Sequence, residues 1–403
     1  MGERRRLLAA VAPTYLSVFL FVAGSSALTV LVPVYLARRA HLGTATIGTI
    51  IGAYGLAALG ARLPAGIAYS AVRGRGYLLV GGCLSAAAFA LMPVAHGPLA
   101  FAALMALNGL GWSLATTAQL ALLVAVPPSG FSTAAAMGWF SGATGLGNAA
   151  AGILGGFCAD LIGLRPTFFV LAATPVLGAL LMARRIAPPS SVPMERRARH
   201  PWRILVRMPL AVWVGVLVMF FINGLNAITN TFQPLIAVAV GLSLTQIGAL
   251  SSIRSWASSS SRFGSGLLFA RFEAAELTLP LVVLGTLATS AIPSVIASFA
   301  LQVPLFLAAG VSRGLLRVTG SADAFVAVGD DERRHGLTAA LLYAGLDVGK
   351  IVGPVAGGVV AAAVGISTML RVLPLALLLI YLAGAIPARR RIAREAGAAT
   401  AGP

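Results

Sequence analysis

Residues 46–66 read "TIGTIIGAYGLAALGARLPAG" and residues 246–266 read "QIGALSSIRSWASSSSRFGSG". At an offset of 200, Ile47 and Gly48 match Ile247 and Gly248, Arg62 matches Arg262, and Gly66 matches Gly266. The same offset pairs Gly24, Ala27 and Thr29 with Gly224, Ala227 and Thr229. An offset of 202 then pairs "GNAAAGILGG" from residue 147 with "GKIVGPVAGG" from residue 349. With 46 glycines in the chain, glycine matches are cheap, so the arginine pair and the steady offset carry the argument. One unit is written twice, in parallel.

The solvent of this unit follows from composition. The 403 residues are 58% hydrophobic and only 10% charged, unlike an ordinary soluble domain. Apolar runs of the roughly 20 residues needed to cross a ~30 Å hydrocarbon core recur along the chain. Twelve are expected: 13–36, 44–69, 77–95, 98–126, 132–157 and 165–183, then 210–238, 244–270, 278–300, 303–327, 337–362 and 369–387. The expected fold is an all-α membrane protein of 12 transmembrane helices in two parallel-repeated six-helix bundles around a central cavity. Residues 1–183 and 209–403 form the two bundles, joined by a basic linker over 184–208. The basic, apolar start resembles a signal peptide, but its apolar run continues through Leu36 and is echoed by the repeat, so it reads as the first span.

A net charge of +18 raises the question of nucleic acid, and its distribution answers it. With both termini inside, the cytoplasmic side carries nineteen basic residues, seven of them between 184 and 207; the outside carries four, Arg38, Arg39, Arg165 and Arg371. That is the positive-inside bias of a multi-pass protein of the cytoplasmic (inner) membrane, in contact with anionic lipid and with no role in nucleic-acid binding. The two cysteines, Cys83 and Cys158, sit in or beside apolar spans, and the four histidines fall in loops. No metal framework or cofactor site is expected. Neither a GxxxxGK[ST] phosphate loop nor a Ser-His-Asp set is present, so the chain reads as neither an ATP-driven pump nor an enzyme.

Over essentially its whole length the chain resembles the major facilitator superfamily. The loop "GIAYSAVRGRG" keeps Gly66, Arg73 and Arg75 of that family's basic loop signature, with Ser70 at its acidic position. The fifth span keeps the glycine ladder of the exporter signature at Gly138, Gly147, Gly155 and Gly156, and the eleventh carries Gly353 and Pro354. Met105 stands where many proton-coupled exporters have arginine. The resemblance implies a secondary transporter working by alternating access, with spans 1, 4, 7 and 10 lining a central cavity and spans 2, 5, 8 and 11 flanking it.

Charges inside the spans then mark the site. Arg254, Arg313, Arg317 and Lys350 lie near mid-span, each costing roughly 2.5–3.5 kcal/mol on insertion scales, against the acids Asp347 and Asp323. A surplus of cations asks for an anion, and guanidinium offers a planar fork to a carboxylate. Arg254, Arg313, Arg317, Lys350, Tyr54, Asn226 and Asn108 are the candidate substrate contacts. Asp347 and Asp323 are the candidate proton-coupling groups, with Asp347 expected near Lys350 and within reach of Arg313 or Arg317, and Asp323 able to pair with Arg317. Arg62, Arg262, Gly66, Arg73, Arg75, Gly353 and Pro354 read as structural or gating residues, the two arginines snorkelling toward the interface. The expected function is proton-coupled transport of a small organic anion by a monomer; the alternative is proton-driven efflux of a drug or metabolite. A purely structural ion network stands beside both, with Asp347 and Lys350 neutralising each other at i, i+3.

Overall fold

The computed structural model describes residues 2–68, 71–125, 133–185, 208–329 and 332–400. They form twelve long helices. The first six are α1 (Gly2–Arg38), α2 (Thr44–Ala68), α3 (Ala71–Leu91), α4 (Pro98–Ala125), α5 (Thr133–Ile162) and α6 (Leu164–Arg185). The second six are α7 (Leu210–Ala239), α8 (Leu244–Phe269), α9 (Ala274–Ala291), α10 (Phe299–Val326), α11 (Glu332–Val364) and α12 (Ile366–Thr400). Most of the 184–208 segment lies outside the described residues.

Within the first set α1 packs on α5 and α6, α4 on α2 and α3, and α3 on α6. Within the second, α7 packs on α10, α11 and α12, α10 on α8 and α9, and α9 on α12. The two sets meet through α2 against α11, α5 against α8, and α1 against α7.

The duplication extends into backbone geometry. Gly163, between α5 and α6, and Gly365, between α11 and α12, hold φ of 85° and 82°, a left-handed conformation that glycine adopts without Cβ strain. At the other offset His41 (φ 52°) and Gly241 (φ 94°) turn the chain into α2 and α8. Helices α3 and α9 stop short of the expected spans and continue as 3₁₀ turns, Met92–Val94 and Ile292–Val295. The reason is Pro93 and Pro293, again 200 residues apart, which cannot donate to an α-helical ladder.

Eleven of these helices are long and apolar enough to cross a membrane, one fewer than expected. The exception is α8, whose 26 residues include eight serines, Arg254 and Arg262. Such a helix cannot face lipid all round; α5 and α10 cover it.

The halves are joined at one end, where the α1–α2, α5–α6, α7–α8 and α11–α12 turns lie. Ala27 to Leu36, Ile47 and Ile50 of the first half share one apolar core with Ala237, Val238, Leu242, Leu244 and Ile247 of the second. Two related crossings complete the seal. A Cβ on Gly48 would run into the Pro354 carbonyl of α11, and one on Gly248 into the Gly152 carbonyl of α5. Gly358 meets Thr44 and Ala45 just as Gly156 meets Leu244 and Thr245. In lipid, where helix association rests on close packing rather than water exclusion, glycine at these four points sets how near the helices can come. Elsewhere each half has its own core, around Phe221 and Tyr381 in the second and around Tyr15 and Met182 in the first.

Candidate functional site

Helix α8 begins with a capping box, Ser243 Oγ accepting from Gln246 N and Gln246 Oε1 from Ser243 N. Ten residues on, Arg254 points into the second half. Gly310 of α10 lets α10 approach the Arg254 backbone closely, and Gly314 does the same at Ser258. Arg254 is 4% exposed. Its NH2 donates to Asn230 Oδ1 of α7, its guanidinium lies 5.4 Å from the centre of the Phe306 ring, and its Nε has no partner. That geometry is a cation held from two sides with a donor left over.

Arg254 lines a cavity of about 20 Å³, room for little more than one water. The other polar walls are Asn226 and Thr229 of α7, Thr289 of α9, and Ser312 and Arg313 of α10; Phe221, Leu225 and Leu316 are among the apolar ones. The hydroxyls of Thr229 and Ser312 are committed to the carbonyls of Leu225 and Leu281. No acid lines the cavity. Of the candidate substrate contacts, Arg254, Arg313 and Asn226 are brought together on this cavity. Arg317, one turn beyond Arg313, does not line it; its carbonyl accepts from Ser321 Oγ at 2.8 Å.

The expected wall from the first half is not there. Tyr54 belongs to a second cluster, at the α2–α11 crossing, where Asp347 is 1% exposed. Asp347 Oδ2 accepts from Arg62 Nε at 2.8 Å, and Oδ1 lies 3.7 Å from Lys350 Nζ. The Arg62 guanidinium sits 5.7 Å from the centre of the Tyr343 ring, and Lys350 Nζ sits 5.8 Å from that of Tyr54. The expected reach of Asp347 to Arg313 or Arg317 is therefore corrected: its partners are Lys350 and, across the two halves, Arg62. Arg62 does not snorkel, because α11, packed face to face on α2, offers it the carboxylate of Asp347. Arg262, its repeat partner, bonds to its own helix, at Ser258 O (3.1 Å) and Ser259 Oγ (3.2 Å).

Asp323 is likewise corrected. It lies 3.8 Å from Arg389 of α12, not beside Arg317, because α9, α10 and α12 converge there and Arg389 also donates to Ala275 O. Asn108 is buried in α4, its Oδ1 unpartnered, and does not line the arginine cavity. Arg73 and Arg75 are exposed at the start of α3; Gly66 lies in the last turn of α2, and Ser70 lies outside the described residues. Gly353 packs on Gly224 of α7, and the carbonyl of Pro354 on Gly48. Asn230, one of the three asparagines that the sequence offers on α7, holds Arg254 together with Phe306, which sequence reading passed over. Sequence reading also passed over Asp160, because the fifth helix runs on to Ile162 rather than ending at 157.

Twelve long helices in two sequence-related sets, with cations buried where the helices cross, define a polytopic membrane carrier rather than an enzyme. The sequence profile of the Major Facilitator Superfamily matches residues 14–333, and the chain belongs to that family of secondary transporters. Solved structures agree on the fold. A mutant form of the nucleoside transporter NupG is 14% identical, with 93% of this chain and 100% of that one covered and a TM-score of 0.77. A bacterial homolog of the human lysosomal transporter Spinster, inward-facing and occupied, is 16% identical, with 96% and 97% covered and a TM-score of 0.77. The same homolog, inward-facing and unoccupied, is 17% identical with the same coverage and a TM-score of 0.75. Among curated proteins, no sequence matches.

Proposed function

We propose that this transporter moves a small organic anion across the cytoplasmic membrane, binding its acid group between Arg254 and Arg313 and coupling its movement to protons. The observation that carries the reading is the convergence of two arginines on one cavity with no acid on its wall. An uncompensated buried charge costs several kcal/mol, so the site calls for an anion, and a carboxylate matches the free edge of a guanidinium. Phe221, Leu225 and Leu316 offer contacts to a short apolar substituent. The cavity is too small here to admit one freely, so entry requires the surrounding helices to part, as alternating access provides.

Asp347 is the coupling group in this reading. Its carboxylate is held by a cation from each half, and parting the α2–α11 crossing separates it from Arg62, leaving it free to exchange that counter-charge for a proton. The basic bias supports an orientation with both termini and the 184–208 linker in the cytoplasm, and in that orientation the joined end is the outer one. Residues 1–183 and 209–403 are the two rocking bodies of a monomer.

Thermal unfolding of the purified protein with acetate, lactate, oxalate, succinate and phosphate tests the anion site. At a hundredfold excess over Kd a bound ligand adds about 2.7 kcal/mol, a clear rise in midpoint. At least one carboxylate should stabilise the parent and not Arg254→Ala. No response to any carboxylate, or an equal response in Arg254→Ala, overturns the proposal.

A further inference from the structure

At the joined end, one turn past the Gly156–Leu244 contact, Asp160 of α5 reaches the start of α8. Its Oδ1 accepts from Leu244 N at 3.1 Å, and its Oδ2 accepts from Thr245 N and Thr245 Oγ1, each at 2.7 Å. The first N–H groups of a helix have no partner within it, and the positive end of the helix dipole favours an anion there. The cap that α8 makes for itself covers Gln246 N through Ser243 and leaves the two preceding N–H groups open. Asp160 takes those two. The end of α8 is therefore capped in two parts, one by its own half and one by the other.

We infer that Asp160 and the start of α8 form a latch that holds the carrier shut at this end and is released when the halves part there. Three features favour a latch over a static cap. The bonds join helices of different halves, so neither bundle needs them to fold. Asp160 is exposed and pairs with no cation among the described residues, so water can replace its partners and the bonds can be remade. Finally, the twin crossing lacks the device. There Gly358 meets Thr44 and Ala45 as Gly156 meets Leu244 and Thr245, but the residue four beyond is Ala362. The bond nearest that point is Thr44 Oγ1 to Gly358 O at 3.3 Å. With the backbone the same and the carboxylate present on one arm alone, the acid is not demanded by the fold. The inference rests on family membership and is independent of the anion site.

The test uses the full-length protein in nanodiscs with Cys83→Ser, Cys158→Ser and Ser252→Cys. Ser252 is 3% exposed in the α5–α8 seam, so a maleimide reaches a cysteine there when the seam opens. Asp160→Asn should raise the labelling rate about tenfold, equivalent to about 1.4 kcal/mol. Adding Ala362→Asp, which places a carboxylate over the start of α2, should bring the rate back to within about twofold of the parent. A parallel protein with Thr286→Cys, at a fully buried site inside the second half, should label slowly throughout. Parent-like labelling of Asp160→Asn overturns the latch, as does a rise matched at position 286, which signals unfolding. Should Asp160→Asn not fold, Ala362→Asp alone decides: it should slow labelling several-fold, and an unchanged rate refutes the inference.

Discussion

Removing Asp347 should destabilise the protein more than removing Arg62, and the two losses should not add. In the native cluster one carboxylate serves two cations, Arg62 at 2.8 Å and Lys350 at 3.7 Å. Asp347→Asn leaves both cations facing a neutral amide, whereas Arg62→Gln leaves the carboxylate with Lys350 still beside it. Breaking a buried pair costs about 3–5 kcal/mol. The Arg62 and Lys350 side chains are 25% and 31% exposed, so water compensates in part and the cost of Asp347→Asn falls below that range, to about 2–3 kcal/mol. Arg62→Gln should cost about 1–2 kcal/mol, and the double variant about 1–2 kcal/mol less than the two single losses together. Equilibrium unfolding of the four proteins in mixed micelles measures the cycle. Losses that add within about 0.5 kcal/mol would show that Arg62 and Asp347 do not act as a pair, and the cross-half bridge would be refuted.

Other expectations follow from the same geometry. Arg254→Lys keeps the charge but loses the fork, so uptake of a stabilising carboxylate into proteoliposomes should fall at least about tenfold at normal expression; parent-like uptake would remove Arg254 from the site. Asp347→Asn should abolish accumulation driven by a proton gradient while leaving substrate counterflow, and survival of both would make Asp347 a structural partner only. Gly248→Val places a side chain against the Gly152 carbonyl, so transport should be lost while the monomer stays folded by gel filtration; normal transport would mean that α5 and α8 need not approach so closely. Cysteines at Ala187 and Ala398 should resist an impermeant thiol reagent outside intact cells, and labelling there refutes the proposed topology.

The scaffold was legible because its signals are periodic and redundant. Apolar runs repeat every thirty-odd residues, and the 200-residue offset predicted from Arg62 and Arg262 reappears in the φ angles at 41 and 241 and in the turns at Pro93 and Pro293. Charge alone marked Arg254 and Arg313, since few features earn a buried arginine. Pairing was not legible. Asp347 meets Lys350 as its i, i+3 spacing predicts, but its bridge to Arg62 depends on two helices nearly three hundred residues apart. The assignment of Asp323 to Arg317 went to the cation nearest in sequence, whereas three-dimensional convergence chose Arg389. Asn230 gave no signal beyond being one polar residue among several on α7, because an amide becomes a partner only when a guanidinium is aimed at it.

The symmetric scaffold also explains why its chemistry is asymmetric. Arg62 and Arg262 occupy the same position of the repeat, yet one bridges the halves and the other folds back onto its own helix. The difference lies in their neighbours across the seam. Asp347, which receives Arg62, corresponds at the 202 offset to Gly145, and Gly145 packs against Ser259 with no carboxylate to offer. Arg262 therefore takes the nearest acceptors, Ser258 O and Ser259 Oγ, which the serine-rich turn of α8 supplies. The α2–α11 seam is thus joined by an ion pair deep in the protein, and the α5–α8 seam by neutral serine contacts and by Asp160 at its end. Protonation acts on a carboxylate that holds a cation far more than on a hydroxyl that holds an amide. A duplicated carrier with a bridging acid on one seam can let a proton loosen that seam without acting on the other.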